Sequence, residues 1–151
     1  MFHCTLGAKS VSLCGDMQGE RISALVYRYG VPGRVELSFL ADPAGGQHFS
    51  GTVSQLAPRA SVRQLWFTRG GYTYLLSQCV GGSCPQSARL SVLRGEKIVS
   101  NRACLRSADD RAWFAPELAR FGSDAASSQA LTELIVFDEA EHGVERLYPM
   151  R

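Results

Sequence analysis

Five cysteines carry the plainest chemistry in this chain: Cys4, Cys14, Cys79, Cys84 and Cys104. Cys79 and Cys84 stand either side of Val80-Gly81-Gly82-Ser83. If those four residues form a hairpin loop, the two thiols face each other. Opposed strand residues at non-hydrogen-bonded positions lie about 4.5 Å apart at Cα, within disulfide reach. A single Cys-x4-Cys without a matching second pair is weak evidence for zinc, so the spacing predicts a Cys79–Cys84 bridge that shapes a Gly-Gly tip. A hairpin over residues 2–14 sets Cys4 opposite Val11 and turns Cys14 to the other side of the ribbon, although a bulge would restore a Cys4–Cys14 pair. The favoured pair is then Cys4–Cys104, closing a loop of about 100 residues and worth roughly 4–5 kcal/mol in the chain-entropy model, with Cys14 buried or free. Bridged cysteines belong to an oxidising compartment. The start, Met1-Phe2-His3-Cys4, reads as the front of a mature exported chain whose signal peptide an added Met replaces.

Catalytic chemistry is harder to assemble. His3, His48 and His142 read as ordinary surface or edge histidines, none beside a ligand at metal spacing. Asp42, His48 and Ser50 make a triad only by choosing among many such sets. No Gly-x-Ser-x-Gly, phosphate loop, His-Glu-x-x-His or Cys-x-x-Cys occurs. Asp138, Glu139 and Glu141 beside His142 read as a solvated turn rather than a cation site. The expectation is a binder without a cofactor or a catalytic centre.

The elements that must hold these residues divide near Cys104. Residues 2–104 read as about eight short strands joined by Gly turns, an antiparallel β-sandwich or small barrel. The turns fall at Gly7-Ala8, at Val31-Pro32-Gly33, and in the two clearest hairpins, Arg69-Gly70-Gly71 and Arg94-Gly95-Glu96. Over Arg34–Phe39, alternation places Val35, Leu37 and Phe39 on one face. Residues 105–151 form a distinct extension packed on that core. It has a helix from Ser107 to Phe121 interrupted at Pro116, a last strand within Leu131–Phe137, a turn over Asp138–Gly143, and Val144–Tyr148 pairing back.

The chain is 151 residues long, 45% hydrophobic and 20% charged, enough for one packed core, and no apolar run reaches the length of a membrane span. Its net charge of +2 hides an asymmetry. Residues 1–104 hold eleven Lys/Arg against five Asp/Glu, and residues 105–151 hold five against nine. The acidic tail either packs on its own basic core or faces a cationic partner. Arginines and the aromatics Trp66, Phe67, Tyr72 and Tyr74 suggest a nucleic-acid platform, but aromatics two apart share one face, as core pairs do, so no nucleic acid is expected.

The runs Phe2-His3-Cys4, Lys9-Ser10-Val11-Ser12-Leu13-Cys14, Leu25-Val26-Tyr27-Arg28-Tyr29-Gly30 and Gly33-Arg34-Val35-Glu36-Leu37 resemble a group of small secreted bacterial β-proteins. Their pattern is Cys, Gly-Lys, a strand ending in Cys, Tyr-Arg-Phe-Gly and a Val-Glu-Leu strand. Here Ala8 stands between Gly7 and Lys9, and Tyr29 replaces Phe. The likeness covers residues 2–104; the tail departs from it. The layout is similar to periplasmic lysozyme inhibitors and to immunity proteins that guard against cell-wall-degrading toxins of contact-dependent secretion systems.

The resemblance implies a periplasmic inhibitor that blocks a toxin or peptidoglycan hydrolase by inserting a loop into its cleft. A rigid β-turn carrying cations suits that task. The candidate tips are Arg69-Gly70-Gly71-Tyr72, the Cys79–Cys84 loop and Arg94-Gly95-Glu96; the candidate contact residues are Arg69, Tyr72, Arg94 and Glu96 on the core hairpins, and Asp109, Asp110 and Trp113 on the tail. The alternative is a module for a saccharide or envelope component, using exposed aromatics such as Trp66 and Trp113.

Overall fold

A computed structural model describes residues 2–18, 21–42, 44–82, 84, 88–105 and 133–148. Its strands are β1 (Phe2–Leu6), β2 (Lys9–Gln18), β3 (Arg21–Val31), β4 (Arg34–Leu40), β5 (Phe49–Ala57), β6 (Ala60–Arg69), β7 (Tyr72–Gly81), β8 (Ala88–Arg94), β9 (Lys97–Ala103) and β10 (Ile135–Phe137), followed by a four-residue helix α1 (Val144–Leu147). Hydrogen bonding orders them β1-β2-β3-β4 in one sheet and β10-β5-β6-β7-β8-β9 in another. The protein is therefore mainly β. Neither sheet closes on itself, which sets aside the barrel and leaves the two open sheets that a sandwich requires.

The chain forms two compact units, one of Met1–Phe49 with Leu105–Phe137, the other of Ser50–Cys104 with Asp138–Arg151. The chain changes unit at Cys104, and also between Phe49 and Ser50, so residues 2–104 are shared between two units.

In the first unit, adjacent strands place Phe2, Leu13, Tyr27 and Phe39 in one row and Cys4, Val11, Tyr29 and Leu37 in the next. Phe2, Cys4, Val11, Leu13 and Tyr27 are buried, so these rows form the inner face. Between them, His3, Ser12, Arg28 and Ser38 align on the opposite face. Val35 does not join the inner face as its alternation with Leu37 and Phe39 suggested. The β3–β4 register shifts at Tyr29/Gly30, so that Gly30 faces Val35 while Tyr29 faces Leu37. Glu36 is the extra residue of this bulge, and the slip sends Val35 outward, 56% exposed. Glu36 is held by Lys9 at 2.6 Å. Phe49 donates its N–H to the Leu134 carbonyl at 2.8 Å, and its ring meets Phe39 edge-on at 4.9 Å.

In the second unit, Val62, Trp66, Leu75, Cys79 and Leu93 line one sheet face and are covered by Val144, Leu147 and Tyr148. Residues 144–147 are helical and do not pair back as a strand. Gly143 takes a positive φ of 61° and redirects the chain, and a three-residue spacing puts Val144 and Leu147 on one side of a helical turn, both onto the sheet. Of the last-strand expectation over residues 131–137, Ile135–Phe137 is extended. The expected helix from 107 to 121 lies outside the described residues.

Candidate functional site

Two hairpin turns meet at one end of the second unit's sheet. Gly70 and Gly71 both adopt positive φ, 60° and 77°, the combination a two-residue turn needs to follow the strands' twist. At the neighbouring turn Gly95 takes φ 58° and Glu96 follows. Because β7 and β8 are paired, the two turns are neighbours. Arg69 faces Tyr72, Tyr72 faces Arg94, and Arg94 faces Lys97. Cross-strand partners share a face, so these four side chains form one row about 14 Å long. Arg69, Arg94, Glu96 and Lys97 are exposed and Tyr72 is half-buried. The Arg94 guanidinium sits 5.9 Å from the Tyr72 ring centre, an arrangement that orders both side chains. Three cations and one aromatic face, with Glu96 at the tip, can receive carboxylates or other anionic groups. The four hairpin residues singled out by sequence are thus brought together, and Lys97 joins them unforeseen. Asp109, Asp110 and Trp113 lie outside the described residues.

Cys79 and Cys84 are joined, with Cα atoms 5.6 Å apart. They are not opposed across a hairpin, as the spacing suggested: Cys79 faces Val62 on β6, β7 runs on to Gly81, and β8 starts at Ala88. Cys84 instead folds back through a turn, its N–H donating to the Gly81 carbonyl at 3.3 Å. Cys4 and Cys104 are also disulfide-bonded, and Cys14 is a free thiol.

A polar seam, not foreseen from sequence, crosses the covered face of the same sheet. Thr52, Gln64 and Ser77 are successive partners on β5, β6 and β7, all three buried. Gln64 donates from Nε2 to Ser77 Oγ at 3.4 Å, and its Oε1 accepts the His142 backbone N–H at 3.3 Å. Arg89 Nε and Ser91 Oγ both donate to Asn101 Oδ1, at 2.7 and 3.0 Å. Tyr148 donates its hydroxyl to the Ser77 carbonyl at 2.9 Å. Burial raises the phenol's pKa above its ordinary value, against the opposing effect of Arg89. His142 is half-buried, with its ring edge-on to Trp66 at 4.5 Å, whereas His3 and His48 are exposed. Ser50, Thr52 and Ser54 alternating on β5 were the one available signal, and the same pattern marks a solvated face.

Trp66 is only 6% exposed, Phe67 is buried, and Phe67 stacks on Tyr74 at 5.1 Å. These rings are core, so Trp66 is not the exposed aromatic a saccharide module would use. Among the described residues no group of three or more His, Cys, Asp or Glu is placed to hold a metal, and no helix is long and apolar enough to cross a membrane. Comparison with family models, curated proteins and solved structures gave no match.

Proposed function

We propose that this chain is an exported inhibitor or immunity protein, acting in the periplasm, that blocks a toxin effector of the cell-wall-hydrolase kind through the paired hairpin tips. It acts by occlusion and not by catalysis. One observation carries the reading: two separate turns deliver Arg69, Tyr72, Arg94 and Lys97 into a single row at the end of a paired sheet. Strands beneath the tips hold the row in place, which lowers the ordering cost of association. Two disulfides suit an oxidising compartment. An arginine-flanked aromatic is a common anchor composition at protein interfaces, and the cations match the carboxylates that wall hydrolases use.

The test is direct binding to the protein encoded beside this one. Arg69→Glu and Arg94→Glu should each weaken binding by about tenfold to a hundredfold, since anchor substitutions cost about 1–3 kcal/mol. Circular dichroism of both variants should remain unchanged. Wild-type affinity in both folded variants would remove the tips from the interface.

A further inference from the structure

We propose that His142 is an acid-sensitive latch whose protonation releases the segment Asp138–Tyr148 from the face of the second unit's sheet. This strap is fastened at four points. Asp138 N–H donates to the Gly51 carbonyl at 2.9 Å, His142 N–H to Gln64 Oε1 at 3.3 Å, and the Tyr148 hydroxyl to the Ser77 carbonyl at 2.9 Å. The Arg89 guanidinium lies 5.8 Å from the Tyr148 ring centre. Val144 and Leu147 close the apolar cluster over Trp66, Leu75 and Leu93.

The weak point is the imidazole. Its Nε2 is buried and has no hydrogen-bond partner. Buried polar atoms are nearly always paired, so this one stands out. Leaving that nitrogen unpaired on a neutral ring costs modestly. A protonated ring would place an N–H and a charge there without an acceptor, which costs far more. Among the described residues Asp138 is the charged group acting on the ring, and Gln64 and Trp66, which face it from β6, are neutral.

Burial holds the imidazole below its ordinary value of 6.5, and Asp138 offsets only part of the effect. The closed strap therefore favours the neutral ring, while a released strap returns it to water and binds a proton first. Closure is at full strength above about pH 6.5 and weakens as pH falls, by up to about tenfold per pH unit until the closed form's own pKa is reached. Opening uncovers Val62, Trp66, Leu75 and Leu93, an apolar surface available only in acid.

The experiment uses the whole chain carrying Trp113→Phe, which leaves Trp66 as the single tryptophan. Two quantities are followed from pH 8 to pH 5: binding of an apolar dye, and protection of the Leu147 and Tyr148 amides corrected for intrinsic exchange. Below about pH 6.5 dye fluorescence should rise several-fold, protection should fall by up to about tenfold per unit, and Trp66 emission should move to the red. His142→Gln should abolish the response, and His3→Gln and His48→Gln should keep it. A response that persists in His142→Gln, or a flat wild-type profile, overturns the latch. If His142→Gln does not fold, the wild-type imidazole is titrated by NMR. It must titrate below 6.5, in step with the loss of Leu147 and Tyr148 protection; a midpoint at or above 6.5, or out of step, overturns it equally.

Discussion

A methyl group at Gly81 would strike the Arg59 carbonyl, and the residue's φ of 126° is one that L side chains rarely adopt. Gly81 ends β7 opposite Ala60, at the mouth of the loop that Cys84 closes. Both restraints act on backbone, so no rotamer change relieves them. Gly81→Ala should lower unfolding stability by about 1–3 kcal/mol, read as a drop in the urea midpoint at unchanged slope. Gly30 has a similar reason to be glycine, because a side chain there would meet the Arg34 carbonyl across the β3–β4 bulge. The turn glycines at 70, 71 and 95 were legible as turns because two-residue hairpin loops demand positive φ. The bulge at Gly30 was not, because a close backbone approach leaves no mark beyond the glycine itself. That one illegible contact decides that Val35 faces outward.

At the scale of elements, the Cys79–Cys84 bridge fastens a loop to the end of a strand. The enclosed segment is short, so the chain-entropy gain is about 2 kcal/mol, well below that of a long-range bridge. Replacing both cysteines with serine should reduce stability by about that amount and leave the hairpins at 69–72 and 94–97 folded, seen in a thermal scan and in backbone chemical shifts. Unfolding of those hairpins in the double variant would show that the bridge does more than close its loop. The strand pattern and the Cys4–Val11 register were readable, since alternation and turn length set both. Helix α1 was not readable. Four residues have no helical stability alone, and the helix exists because Val144 and Leu147 find a sheet face formed more than forty residues earlier. The bond from His142 to Gln64 spans 78 residues and leaves no local signature in either segment.

At the scale of the whole chain, the four hairpin residues singled out for partner contact came together because sheet order, more than sequence proximity, sets neighbours. Arg69 and Arg94 lie 25 positions apart yet flank the same tyrosine through the β6–β7 and β7–β8 pairings. Two of the four edge strands are irregular. β4 carries the bulge at Tyr29/Gly30, and β9 carries another where β8 shifts at Val92/Leu93. Bulges at edges discourage strand addition. The proposed recognition runs through the turn tips instead. Association with a carboxylate-rich partner should also slow as salt rises, because exposed cations act over a Debye length of about 8–10 Å. The central claim is that residues 69–72 and 94–97 are where the partner sits. Hydrogen exchange of the chain, alone and saturated with the product of the neighbouring gene, tests it most directly. Slowed exchange concentrated at those two turns is the predicted result; slowed exchange confined to β1–β4, or none in a formed complex, would contradict it.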